Sequence, residues 1–399
     1  MSIKYHVLYL ILFSQTTMAA VIPNPYVTDS GIEVTPFFAV SFGHNDNITS
    51  EKESRNKISS MLLEMEPSVM AMAEHGDSIY STSYTLTNGS YFDSSADNYL
   101  DHNLDLASIW HINLRNSLML NYELSSLHEP RGSGISEGIS SSTENFDEPI
   151  QYVTNHLNAT YIYGAEGAKG RLEGSIGWYD ESYKNFRNTT QFNDYNESRY
   201  DAAFYYQLTS TTDLLLNIKK EDRRYDKIAP EQASQDNDTM YYYIGAEWDI
   251  TGKTTGTARL GLQDKQFKDS SREDFDGASW DIGITWSPKR YSILNLDTSQ
   301  TARDPDQDGD YIEETIYTLG WHHFWRERFT TNVSYSNADE NYTGVSRKDK
   351  TDIWSVSASY DMRRWLSITL GWDFTDKTSS QANIGHEQQI WYLTALFTL

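Results

Sequence analysis

The chain contains no cysteine, which removes disulfide scaffolds, cysteine-ligated metal centres and thiol nucleophiles. Proline is scarce, with 9 in 399 residues, while 11 Trp, 28 Tyr and 15 Phe supply far more burial-seeking surface than a disordered chain carries. Bases are few: 32 Lys and Arg face 57 Asp and Glu, for a formal net charge of −25. That balance repels a polyphosphate backbone and excludes nucleic acid as a partner. Long apolar runs are missing as well. Past Ala20 none approaches the ~18 residues that a transmembrane helix needs. The mean hydropathy of −0.63 excludes a helical membrane protein. It leaves a membrane barrel open, because half of each barrel strand faces a polar lumen.

Residues 1–19, MSIKYHVLYLILFSQTTMA, read as a signal peptide: Lys4 gives a positive start, Val7 to Phe13 an apolar stretch, and Thr17-Met18-Ala19 a small-residue cleavage site. No lipid-accepting cysteine follows. Residues 20–34 read as an N-terminal periplasmic segment and 35–399 as a single barrel domain.

Past residue 30 the dominant pattern has period two, the mark of strands with one apolar and one polar face. Leu366, Ile368, Leu370, Trp372 and Phe374 share one face, and Ser367, Thr369, Gly371 and Asp373 the other. Ala278, Trp280, Ile282, Ile284 and Trp286 interleave in the same way with Ser279, Asp281, Gly283 and Thr285. Eighteen such segments are read, over 35–43, 57–73, 78–88, 98–113, 117–127, 150–163, 171–183, 196–208, 213–224, 238–250, 254–267, 277–287, 291–301, 312–324, 328–338, 351–361, 365–375 and 387–399. Eight connections are short, such as Thr251 to Lys253. Nine are longer, about 9 to 22 residues, and rich in Asn, Asp, Ser and Gly, such as His128 to Glu148 and Asp339 to Lys350. The expected fold is therefore all-β: a transmembrane antiparallel up-and-down β-barrel of about 18 strands, with 16 as the alternative, short periplasmic turns and long extracellular loops.

The last hairpins recur. Short turns beginning at Thr251, Pro288, Trp325 and Met362 are each 37 residues apart. Three of them are basic and bracketed by aromatics: Trp286 with Tyr291, Phe324 with Phe329, and Tyr360 with Trp365. Aromatic rings prefer the headgroup level, so these pairs are expected to form a periplasmic girdle. At the C-terminus Trp391, Leu393, Ala395, Phe397 and Leu399 alternate to the last residue. Such a terminal strand suits recognition by the barrel-insertion machinery.

Phase also sorts the charges. Glu64, Glu66, Asp105, Glu123, Glu173, Asp201, Glu247, Asp249, Asp281, Asp297, Asp361 and Asp373 fall on the inward phase, against Arg171, Lys219 and Arg259. An acidic lumen favours cationic or neutral solutes. One loop carries Asp304, Asp306, Asp308, Gly309 and Asp310, the Asp-x-Asp-x-Asp-Gly spacing of a calcium loop. The bidentate Glu of an EF-hand would fall at Thr315, so the four aspartates form a candidate calcium site with a solvated acidic loop as its alternative. His102, His111, His156, His322 and His323 join no Gly-x-Ser-x-Gly, His-Glu-x-x-His or paired-carboxylate motif, and the reading is not enzymatic.

The stretch from Phe37 through Phe42, Gly43, His44, Asn45, Asp46 and Asn47 to Ile48, followed by Met65-Glu66-Pro67, resembles the opening of the EpsL-like, or second β-barrel-porin, family found beside exopolysaccharide and exosortase systems. His44 and Asn45 stand where that family more often has Tyr and Asp. The resemblance implies an outer-membrane barrel of a Gram-negative bacterium acting in exopolysaccharide or capsular polysaccharide biosynthesis, export or attachment. It implies as partners outer-membrane lipid and lipopolysaccharide, exopolysaccharide and periplasmic export proteins. It brings no catalytic residues. A passive conduit and a closed barrel that binds polysaccharide through its outer loops, with or without calcium, are the two functional expectations.

Overall fold

The computed structural model describes residues 23–399 apart from 53–56, 140–145, 166, 251, 308 and the side chain of Ile250. The signal-peptide reading of residues 1–19 and Asp308 of the candidate calcium loop lie outside the described residues.

The strands are β1 (Tyr26–Val27), β2 (Glu33–Asn45), β3 (Ser60–His75), β4 (Ser78–Tyr91), β5 (Tyr99–Asn113), β6 (Asn116–Glu129), β7 (Ile150–Tyr163), β8 (Gly170–Tyr183), β9 (Tyr195–Thr209), β10 (Thr212–Tyr225), β11 (Asn237–Ile250), β12 (Thr254–Phe267), β13 (Phe275–Lys289), β14 (Ser292–Arg303), β15 (Ile312–Arg326), β16 (Phe329–Tyr342), β17 (Lys348–Arg363), β18 (Leu366–Ser379) and β19 (His386–Thr398). From β2 onward each strand pairs antiparallel with the next, and β19 pairs back onto β2. The eighteen strands β2 to β19 thus form a closed barrel. At the seam Phe397 lies opposite Phe38 and Leu393 opposite Phe42. On the inner side Ser41 and Thr394 hydroxyls meet at 2.8 Å.

The alternation read from sequence is realised around the ring. Leu216, Ile244, Leu260 and Leu370 project outward, with Ile244 66% and Leu370 57% exposed. Their inward neighbours are packed: Ser279 and Ser359 are 1% exposed and Ser367 2%. An apolar outer skin on a polar inner wall inverts the usual globular arrangement, and it is stable only where hydrocarbon covers the skin.

All eighteen segments appear as strands, and most run further than read, chiefly toward the long loops, although 150–163 and 254–267 coincide with their strands and the strand read from 57 begins at Ser60. The loop expected over 339–350 shrinks to 343–347, because Asp339 pairs with Lys350 and Asn341 with Lys348. These residues are polar on both faces, which hides a strand from a periodicity reading, while the ladder hydrogen bonds hold it regardless. The hairpin turns at the other end are tight. Between β3 and β4 only Gly76-Asp77 intervenes, and Gly76 takes φ +60°, the left-handed conformation that suits strand twist in a two-residue hairpin. β1 pairs with the start of β2, and the Asn24 amide donates to the Leu399 carbonyl at 2.8 Å. Residues 23–32 therefore continue the line of β19 on the short-turn rim.

Placing Arg at Ile244 separates a lipid-facing wall from a water-facing one. Urea unfolding from vesicles is expected to register a loss of about 2–4 kcal/mol. A loss within about 0.5 kcal/mol, normal for a water-exposed position, would contradict the lipid-facing assignment.

Candidate functional site: the loop-closed lumen

The inner wall is asymmetric. β8 to β12 carry the inward bases Arg171, Arg199, Lys219, Arg223, Arg259 and Lys265, interleaved with tyrosines. Arg171 lies 4.0 Å from the Tyr205 ring centroid, Arg223 4.2 Å from Tyr195 and Lys219 5.0 Å from Tyr241. Arg171 also bridges Glu173 at 2.9 Å and, three strands away, Glu247 at 3.4 Å. Arg259 pairs with Asp281 at 3.0 Å. Between these groups lies a cavity of about 430 Å³ lined by Tyr205, Asn217, Lys219, Tyr241, Arg259 and Asp281 among others.

Of the inward acids read from sequence, Glu173, Glu247 and Asp281 have found cations. Among the described residues no ion pair neutralises Glu64, Glu66, Asp105, Glu123, Asp201, Asp249, Asp297, Asp361 or Asp373. Several instead accept hydrogen bonds from neutral groups, as Asp105 does from Ser83 and Asp201 from Asn217.

Toward the long loops the chain closes over this lumen. The β13–β14 ladder stops at the pair Trp280 and Gln300, leaving the Ala302 backbone without a strand partner on that side. Gln263 of β12, fully buried, supplies both missing bonds: its Nε2 donates to the Ala302 carbonyl and its Oε1 accepts from the Ala302 amide, each at 2.7 Å. Gly277, opposite Gln263 in the ladder, leaves room for the Phe275 ring, since a Cβ there would lie 2.5 Å from Phe275 Cζ. The end of β14 is thereby drawn inward and delivers residues 304–311 into the mouth.

Asp304 anchors that loop. Its carboxylate accepts from Arg223 Nη1 at 2.9 Å, Tyr225 Oη at 3.1 Å and Asn237 Nδ2 at 3.1 Å, and pairs with Lys265 Nζ at 2.5 Å. Burial alone would raise its pKa, but Lys265 and Arg223 outweigh burial and hold it down at about 2. Asp306 is pushed up by burial, with Arg303 pulling against it.

Gln307 reaches the carbonyls of Ile135 at 2.9 Å and Glu137 at 3.0 Å. Those residues belong to the 130–149 connection, whose flanking strands lie eight places round the ring from β14 and β15. The two loops therefore meet across the mouth. The described residues of the 130–149 connection are fastened at several points: Arg131 makes a buried bidentate pair with Asp97, and Ile135, Phe146, Ile150 and Tyr183 form a small apolar core. Glu137 binds both Arg347 and Lys377, and Asn383 Nδ2 donates to Gly138 O at 2.8 Å. Arg347 is shared with Asp349, and Arg303 ties Glu314 to Glu340. Burial opposes the Arg347 charge, but Asp349 and Glu137 raise its pKa above the ordinary value.

The candidate calcium residues are thus apportioned differently from the sequence expectation. Asp304 is met by two protein cations, Asp310 lies 3.5 Å from Arg272, and the Asp306 carbonyl accepts from Asn193. Among the described residues no group of three His, Asp or Glu is arranged to hold a metal. The histidines are dispersed: His102 bonds Tyr84, His111 bonds Ser117, and His323 packs among Trp321, Trp325 and Tyr291. Phase reading left out Arg199, Arg223, Lys265, Arg303 and Lys377. Each lies on the inward phase of its strand: Arg199, Arg223 and Lys265 fall within the segments read from sequence, and extending the phase two residues past 301 and 375 would have found Arg303 and Lys377.

The family model described as "Putative beta-barrel porin 2" matches residues 33–397. Among solved structures, Pseudomonas aeruginosa OccK2 (OpdF) is similar at 10% identity and TM-score 0.49, covering 92% of this chain and 97% of that one. Acinetobacter baumannii OccAB3 gives 11% and 0.48, covering 92% and 99%. The FrpB iron transporter from Neisseria meningitidis gives 12% and 0.47, covering 86% of this chain; the chain spans 62% of FrpB. No curated protein matches.

Two outcomes test the closure. Combining Glu137→Gln with Arg347→Ala should raise planar-bilayer current severalfold over wild type while heat-modifiable gel migration stays unchanged; unchanged current would place the closure elsewhere. The Asp304 tether has a folded-state pKa depressed from an unfolded value of about 3.9, so its stabilisation is complete above that pH and is lost as pH falls through about 2. Current should therefore rise between about pH 4 and pH 2, and Asp304→Asn should abolish that acid-dependent step.

Proposed function

The chain belongs to the family described as "Putative beta-barrel porin 2", and from that premise we propose that it is a gated conduit in the outer membrane of a Gram-negative bacterium, acting in exopolysaccharide or capsular polysaccharide export. The observation that carries the conduit reading is the lumen beneath the closed loops: nine inward acids without cations, facing a wall of Arg, Lys and Tyr. Unpaired carboxylates in a low-dielectric passage attract cations and repel polyanions. Tyrosine faces beside hydrogen-bonding Asn, Asp and Glu suit sugar rings, whose apolar faces and hydroxyl edges need both kinds of partner. The polysaccharide assignment draws its further support from the Phe37 to Ile48 resemblance. Under this reading the long loops face outward, the short turns face the periplasm, and the solute is neutral, zwitterionic or cationic. Calcium is not required to hold the 304–311 loop, since protein cations already meet Asp304.

The closed mouth favours a second reading. A barrel that stays shut would instead hold surface polysaccharide on its joined loops, and its gene deletion would release polymer from cells without changing permeability.

Reversal potentials in a salt gradient discriminate among these. Wild-type and loop-loosened channels should prefer cations, and replacing Glu64, Glu66, Asp105 and Asp373 by their amides should reduce that preference severalfold. Anion selectivity in the loosened channel would overturn the lumen reading. Absence of current even after loosening would favour the polysaccharide-holding alternative, and unaltered surface polysaccharide in a deletion strain would remove both polysaccharide roles.

A further inference from the structure

We propose that the short-turn rim between β13 and β18 is a docking surface for the phosphate headgroups of anionic phospholipids. Three consecutive turns on this arc each carry two bases: Lys289 and Arg290, Arg326 and Arg328, Arg363 and Arg364. Lys289, Arg326 and Arg363 recur at the 37-residue spacing of the hairpins, so they occupy equivalent places on neighbouring turns. All six are exposed, and among the described residues none makes an ion pair. The cations of the closed mouth behave oppositely, since Arg131, Arg303, Arg347 and Lys377 are each matched to a carboxylate.

In a chain of net charge −25, six bases without protein partners on one arc make a locally positive surface that attracts anions. Acids at hand are few: Glu327 sits on the turn itself, while Asp361 belongs to the inward phase. Elsewhere on this rim the bases thin out: Arg115, Lys169 and Lys253 stand singly on their turns, and Gly76-Asp77 and Ser210-Thr211 carry none.

What selects lipid over a soluble polyanion is the aromatic frame. Trp286, Tyr291, Trp325, Phe329, Tyr360 and Trp365 are exposed large side chains on the same turns and the strand ends beside them. Such rings settle at the headgroup level, and each base lies within four residues of one along the chain. Long Lys and Arg side chains at that level extend to the phosphates while their stems stay against the apolar border. Attraction of this kind is electrostatic and accumulates with each cation, so an arc of six selects anionic lipid over zwitterionic lipid. The inference needs only that the barrel spans a membrane and is independent of what the lumen carries.

The full-length barrel would be reconstituted in vesicles of phosphatidylethanolamine, phosphatidylglycerol and cardiolipin, extracted gently, and its retained lipids read by native mass spectrometry. Wild type should retain the two anionic lipids over phosphatidylethanolamine by roughly tenfold relative to their share of the vesicle. Replacing all six bases by Gln should abolish the enrichment with heat-modifiable migration unchanged. Lys184→Gln, Lys227→Gln and Lys348→Gln together, which remove exposed cations at the opposite end, should leave it intact. Should the sixfold variant fail to fold, Lys289→Gln with Arg290→Gln, and Arg363→Gln with Arg364→Gln, should each lower the enrichment at least twofold. No enrichment in wild type, equal enrichment in the rim variants, or capture of an acidic protein by the rim in place of lipid would overturn the proposal.

Discussion

The constraint on which the rest depends is that a backbone crossing hydrocarbon has no water to bond, so every amide and carbonyl must find a partner in the sheet. An open sheet leaves two edges unpaired; closure of β19 onto β2 removes both. Once the ring is closed, pleating assigns each residue to lipid or lumen, and the sequence has only to alternate. The same requirement explains the rim. Beyond the C-terminal end of β19, the segment containing β1 takes over the pairing with β2, so the seam is not left ragged where the terminal strand runs out.

A second requirement governs the mouth. Bending the end of β14 inward breaks its ladder, and an unpaired peptide group at a buried site costs on the order of 1–3 kcal/mol. Gln263 restores both bonds. The inward loop then carries Asp304 into a low-dielectric site, where an unpaired carboxylate would be untenable and a lone guanidinium no better. Arg223 keeps Glu197 on the neighbouring strand in either case, but Asp304 and Lys265 meet only when the loop is in place. Closure is consequently self-consistent: the charges that make the closed mouth expensive when separated are those that hold it when joined. Because such clusters lose heavily when one member is withdrawn, they favour two discrete arrangements over gradual loosening.

Most of the barrel is legible in the sequence because a half-lipid, half-lumen strand writes its environment in alternate letters. Leu366 to Phe374 could hardly be read otherwise. Legibility fails where that environment ends. Asp339 to Tyr342 and Lys348 to Lys350 are strand by backbone pairing alone, and their letters look like loop. The site was readable in its acids and poorly readable in its bases, since Glu64 or Asp373 sits between apolar neighbours that fix its phase, whereas Arg303 and Lys377 lie in polar strand ends. The Asp304 to Asp310 spacing was legible as a motif, but the partners of Asp304 were not. Spacing along a chain says which carboxylates can converge, but it carries no information about Arg223 and Lys265, which approach Asp304 from strands 81 and 39 residues earlier.

The net charge of −25 takes on meaning once it is resolved along the barrel axis. At the closed mouth acids and bases are interlocked, so the field there is short-ranged dipoles. In the lumen below, Glu173, Glu247 and Asp281 are paired with Arg171 and Arg259, while among the described residues nine further inward acids make no ion pair. At the short-turn rim the imbalance reverses on one arc. The placement of the bases, more than their number, therefore distinguishes this barrel from a merely acidic one: some lock the long loops together, some stand beside tyrosines on the inner wall of β8 to β12, and six gather on one arc of the short-turn rim.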